Sequence, residues 1–167
     1  MTLNTFNQTS HHTQGEIIDS RWKGLCFVGG VAALIMLILI IIQIVIFIVW
    51  PPPSTIEGYF ILFHNNWLLG LLSFDLLYIV DSVLLIFIYL ALYVVLRKTG
   101  EPSMLIAVVL GLVGIAAYFA SNTAFEMLSL SNQYMAATTE AQKTMFLTAG
   151  QVMLETYTGT AFDVYYV

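Results

Sequence analysis

Charge is what this chain has least of. Asp, Glu, Lys and Arg make up 9% of its 167 residues, where a soluble domain carries about a quarter. Lys and Arg number five, too few to build a basic patch against phosphates, so nucleic acid is not an expected partner. Cys26 is the only cysteine, which excludes an internal disulfide and a thiolate metal cluster. No HExxH, HxxxH or ExxH spacing occurs, nor a nucleophile motif or phosphate-binding glycine loop. The sequence therefore implies no metal or other cofactor, and an enzyme is not expected.

What fills the chain instead is apolar: 59% hydrophobic residues and a mean hydropathy of +0.88. Runs of this length read as transmembrane helices, because a helix satisfies every backbone N–H and C=O without water. The expected fold is all-α, an integral membrane helical bundle whose four spans cover about 24–50, 67–96, 103–125 and 144–167. A polar tail, 1–23, precedes this domain of 24–167. In the tail, His11-His12 reads as solvated, and Asn7-Gln8-Thr9 matches a glycosylation triplet that needs an external location.

The first span has about 27 residues and reaches about 40 Å, more than a hydrocarbon core of about 30 Å. It is also longer than a signal-peptide core and ends at Trp50-Pro51-Pro52-Pro53. Gly29 and Ala33 form a small-xxx-small pair for close helix approach, and Gln43 is expected to bond to a neighbouring helix. After the prolines, Ser54-Thr55-Ile56-Glu57 matches a capping box. Ile56, Tyr59, Phe60 and Phe63 then give one apolar face, so a short interfacial helix is expected over about 54–66. In the third span Ala107, Gly111, Gly114, Ala117, Ser121 and Ala124 mark a packing side, while Leu128–Ala137 is expected to leave the membrane. Thr139 with Gln142 caps the last helix, and Trp22, Trp50, Tyr59 and Trp67 suit membrane interfaces. The chain stops at Tyr165-Tyr166-Val167 without a basic anchor, which points to a natural chain that continues.

Arg21 and Lys23 precede the first span, Arg97-Lys98 follow the second, and the loop 51–66 between them has no Lys or Arg. By the positive-inside rule the N-terminus is cytoplasmic and the protein belongs to the cell membrane. Lys143 is the one exception.

Polar groups inside apolar runs are the candidate site: Asp75, Tyr78, Asp81, Asn122, Glu126, Glu155 and Asp163. An ionised carboxylate in hydrocarbon costs roughly 2.5–3.5 kcal/mol on insertion scales, so each acid needs protein or water beside it. On one helix Asp75, Tyr78, Ser82 and Tyr89 share a stripe, and Asp81 lies about 240° around from Asp75. Packing of the second and fourth spans would bring Asp75 and Glu155 into one polar layer, with Glu126, Asn122 and His64 at similar depth. Three uses compete. The acids fix helix register through Tyr, Asn and Ser; they form a proton or cation relay; or Asp75, Glu126, Glu155 and His64 surround a divalent ion.

The run Gly70-Leu-Leu-Ser-Phe-Asp75-Leu, with Asp81, Leu92-Tyr93 and Arg97, resembles a conserved block of the domain-of-unknown-function 4386 family of prokaryotic multi-pass membrane proteins. The segment around Asn122 and the Glu140-Ala141-Gln142 helix start are similar too, and the resemblance covers roughly 24–167. It implies a helical bundle with more than four spans and lends no activity. Asp75 and Asp81 carry over; Glu155 departs from the pattern. The expected role is that of a non-enzymatic structural or accessory subunit of a membrane assembly. Its expected partners are lipid, other membrane subunits or its own copies. The alternative is a small proton- or cation-coupled carrier using buried carboxylates.

Overall fold

A computed structural model describes residues 22–160 and residue 163. The rest of the tail, including its histidines and glycosylation triplet, lies outside the described residues, as do most residues after Thr160. The described elements are all helices: α1 (Lys23–Val49), α2 (Ile56–Asn65), α3 (Trp67–Ser73), α4 (Leu76–Ser121), α5 (Ala124–Ala136) and α6 (Glu140–Tyr157).

The long helix α4 reverses direction at Gly100, whose φ of 179° and ψ of 75° interrupt the helix. Pro102 explains the break, because it lacks an N–H and disfavours helical geometry at Glu101. The two legs, 76–99 and 101–121, lie side by side. The Tyr93 hydroxyl donates to Glu101 Oε1 at 3.2 Å, and a Cβ on Gly111 would sit 2.4 Å from the Tyr89 ring. At the far end the Asn122 amide reaches Phe74 O at 3.1 Å. Helix α1 runs antiparallel to the outgoing leg: Gly29 packs on Ala91, and Gln43 Nε2 donates to Leu72 O at 3.1 Å. Its inward face is Gly29, Ala32 and Gln43, so Ala32 rather than Ala33 is the fully buried small residue beside Gly29.

These three rods form a stem with an apolar exterior. Phe27, Leu34, Ile41 and Ile48 of α1 are 73%, 64%, 62% and 74% exposed, and contiguous apolar surface of this kind is rare on water-soluble monomers. Among the described residues two helical stretches are long and apolar enough to cross a membrane: Lys23–Val49, and Leu76–Ala136, which begins with α4.

Helices α2, α3, α5 and α6 gather at the end of the stem where α1 stops and α4 starts and finishes. Their core holds Tyr59, Phe60, Phe63, Leu71, Phe74, Ala124, Met127 and Tyr157. We call this unit the head. Close approach decides its fit, since a Cβ on Gly150 of α6 would lie 2.6 Å from Ile56 and 2.7 Å from Phe60. The Ser131 hydroxyl donates to Phe60 O at 2.7 Å, tying α5 to α2.

Several expectations change. The run 67–96 is not one helix: α3 ends at Ser73 and Asp75 adopts a left-handed φ of 59°. The third span is the returning leg; it stops at Ser121, because Asn122 is extended and its Oδ1 accepts from Ala124 N to begin α5. Leu128–Ala137 is largely helix, within α5. The last helix starts at the expected Thr139–Gln142 capping box. It closes at Tyr157, and its polar residues Glu140, Lys143, Gln151 and Glu155 keep it out of the helices apolar enough to span. Thr55, not Ser54, caps α2 by accepting from Gly58 N. The apolar face of α2 is where the sequence puts it, but it is buried in the head core. In the returning leg the buried residues are Val108, Ile115, Tyr118 and Ser121; of the small-residue stripe, Ser121 and Ala124 are buried and Gly111 packs on Tyr89, while Ala107 is exposed.

Candidate functional site

A helix that breaks inside a packed structure leaves carbonyls at the end of one segment without intrahelical partners. Here the break between α3 and α4 leaves Phe74 O to a side-chain donor, while Leu72 O and Asp75 O each keep one backbone bond, from Asp75 N at 3.3 Å and Ile79 N at 3.1 Å. Three side chains from other parts of the fold add donors to these carbonyls. Gln43 Nε2 from α1 bonds Leu72 O. Asn122 Nδ2, after the returning leg, bonds Phe74 O. The Tyr118 hydroxyl from that leg donates to Asp75 O at 3.4 Å. The break itself bonds Ser73 Oγ back to Leu69 O at 2.9 Å.

Asp75 is 4% exposed, and its side chain turns to the head, where Oδ2 accepts a hydrogen bond from the Tyr157 hydroxyl of α6. The Tyr157 ring packs on Phe74 with centroids 4.8 Å apart. Beside it Tyr59 meets Phe74 edge-on at 5.0 Å. Burial, and after it the Asp75 carboxylate, pushes the Tyr59 phenol above its ordinary value. Asp tolerates the left-handed backbone better than most other non-glycine residues. One residue thus makes the turn and points a carboxylate into the head.

The candidate residues do not form one group. Asp75 and Asn122 both lie at the junction, where Asn122 donates to Phe74 O and Tyr118 to the next carbonyl, Asp75 O. Tyr78 is half-buried and Asp81 lies deeper along the outgoing leg, 1% exposed. Glu126, Glu155, Asp163 and His64 are exposed. The expected Asp75–Glu155 layer is absent: Glu155 accepts from Gln151 Nε2 at 2.8 Å on the surface of α6, and Tyr157, two residues on, meets Asp75 instead. Among the described residues no three His, Cys, Asp or Glu side chains gather as a metal ion would require. Tyr118 and Tyr157 are not among the residues the sequence singles out. Tyr118 lies in an apolar run where a tyrosine reads as packing, Tyr157 lies among Glu, Thr and Gly at the end of a helix, and their partners are 43 and 82 residues away.

A second polar locus lies inside the stem. Both carboxyl oxygens of Asp81 and the hydroxyl of Ser82 are buried and meet no hydrogen-bond partner among the described residues; Gln43 Oε1 shares that condition. Comparison with protein-family models, with curated proteins and with solved structures gives no match.

Proposed function

We propose that this chain is a multi-pass integral protein of the cell membrane, with three crossings made by α1 and the two legs of α4. The N-terminus and the Gly100 turn are cytoplasmic and the head is external. The reading is supported by the exposed apolar stem and by charge: Lys23, Arg97 and Lys98 cluster at one end, where the Arg97 guanidinium covers the Trp22 ring at 5.5 Å. A soluble core helix would be mostly buried, whereas only 11% of the apolar window of α1 is.

Its role in this reading is structural: an accessory subunit that fixes a small helical head on an anchor, without enzymatic activity. The observation that carries this is the junction, where Gln43, Tyr118, Asn122 and Tyr157 all serve to join stem to head. The resemblance to the domain-of-unknown-function 4386 family accords with a membrane bundle and adds no activity. Two measurements test the proposal. In a Cys26→Ala background, an impermeant maleimide should label Thr148→Cys on intact cells, and Lys98→Cys only after permeabilisation; labelling of both from one face would refute the topology. In mild detergent the protein should migrate with other membrane chains or with its own copies. A monomer that drives cation-coupled uptake into vesicles would establish the carrier alternative, which the unpaired Asp81 carboxyl favours.

A further inference from the structure

We propose that Asp81, with Ser82 beside it, holds one exchangeable positive charge, a proton or an alkali cation, that enters and leaves only from the head side. The inference rests on the stem crossing a membrane as read above. Asp81 is 1% exposed and Ser82 0%, and neither side chain has a hydrogen-bond partner among the described residues. Buried polar groups are almost always paired, and a carboxyl in hydrocarbon must be neutralised or solvated. The stem supplies no cation of its own for this. No Lys, Arg or His occurs in 27–49, 67–96 or 103–121.

The surroundings are otherwise free of competing titration. From α1 no titratable side chain occurs in 27–49, and α3 has none. The returning leg contributes Tyr118 alone over 103–121, and the outgoing leg adds Tyr78, Tyr89 and Tyr93 before Arg97. Asp81 stands six residues beyond Asp75, about 9 Å along the helix axis.

Sidedness follows from where polarity ends. Between Asp81 and the head lie Tyr78, Tyr118, Ser121, Asn122, Asp75 and Gln43, the last with Oε1 unpartnered. Toward the Gly100 turn α1 offers no polar side chain over 27–42, nor does the returning leg over 104–117. Tyr89 is packed at Gly111 and Tyr93 is bonded to Glu101. A cation has stepping stones on one side of Asp81 and a hydrocarbon plug on the other.

The test uses the full chain reconstituted in sealed vesicles, with orientation read by maleimide labelling of Thr148→Cys. The infrared carboxyl band of Asp81 is recorded while pH or Na⁺ is changed on one face at a time. Asp81→Asn should abolish the band. Asp81→Glu keeps the carboxyl and moves the band, which identifies the signal even if the Asn variant does not fold. The expected result is a reversible change driven from the head face and none from the other. A response to pH at constant Na⁺ assigns a proton; a response to Na⁺ at constant pH assigns an alkali cation. A band silent from both faces overturns the site, and a band driven from the Gly100 face overturns the sidedness. Misplaced topology would show independently in the labelling.

Discussion

Replacing Tyr157 by Phe removes one oxygen and leaves the ring on Phe74, 4.8 Å between centroids. What is lost is the donor that Asp75 Oδ2 receives. Asp75 is 4% exposed, so water cannot easily take the place of the phenol. A hydrogen bond to a charged group contributes about 1.5–3 kcal/mol net, and leaving a buried acceptor unsatisfied costs a similar amount. We expect Tyr157→Phe to destabilise the head by about 1.5–3 kcal/mol, a fall in Tm on the order of 3–12 °C at about 2–4 °C per kcal/mol. The control is Asp75→Gly, which removes the carboxylate while suiting the left-handed φ of 59°. Glycine relieves a backbone strain of up to about 1–2 kcal/mol, so this variant should be less harmful than Tyr157→Phe. The strain relief is present in both variants that carry Asp75→Gly, alone and with Tyr157→Phe, and cancels in a double-mutant cycle. Denaturant unfolding in detergent, followed by tryptophan fluorescence, should give a coupling near the full hydrogen-bond value. A coupling below about 0.5 kcal/mol would mean that the phenol and the carboxylate act independently and that the latch is packing alone.

Gln43 and Asn122 both donate to junction carbonyls, yet their leucine variants should differ. Gln43→Leu also removes an unpartnered Oε1, and Leu72 O keeps a bond from Asp75 N at 3.3 Å, so its unfolding free energy should stay within about 1 kcal/mol of the parent. Asn122→Leu breaks bonds at both Oδ1 and Nδ2 and should lose about 1–3 kcal/mol; equal effects would contradict the geometry. Gly29→Leu must displace Ala91, whose Cβ would be 2.4 Å from a new Cβ. Cross-linking between cysteines placed on α1 and the outgoing leg should then fall, and unchanged cross-linking would refute the close approach. In the head, burial raises the phenols of Tyr59 and Tyr134, assisted at Tyr59 by Asp75 and at Tyr134 by the Glu57 carboxylate it bonds. The folded head therefore holds these protons more tightly than the unfolded chain. Their contribution should be fully present below pH of about 10 and lost as pH rises through the raised folded values; a midpoint that does not fall in alkali would contradict it.

Much of the stem is readable without coordinates. A run such as 24–50 has no alternative to a helix, because its backbone cannot be satisfied otherwise in an apolar setting. The reversal at Thr99-Gly100-Glu101-Pro102 and the capping box at Thr139 are local signals, set by a missing N–H and by a side chain three residues from its target. The apolar face Ile56, Tyr59, Phe60 and Phe63 is equally plain from spacing, although its partner is not.

The break at Asp75 is not readable. No Gly or Pro marks 71–75, and an apolar run containing one Asp looks continuous from the inside. What makes the break stable is donors arriving from Gln43, Tyr118 and Asn122, at separations of 29, 43 and 48 residues. The same holds for the last helix. Its capping box marks a helix, but only its packing of Gly150 on Ile56 and Phe60 and of Tyr157 on Phe74 makes it part of the head. Residue type and spacing determine where helices can form and which face is apolar, since both follow from chemistry within a few turns. Tertiary structure decides where a helix can break and which polar group is left alone, since both depend on partners distant in the chain. Asp75 and Asp81 are the same residue in similar sequence, and the fold makes one a satisfied latch and the other an unpaired carboxyl.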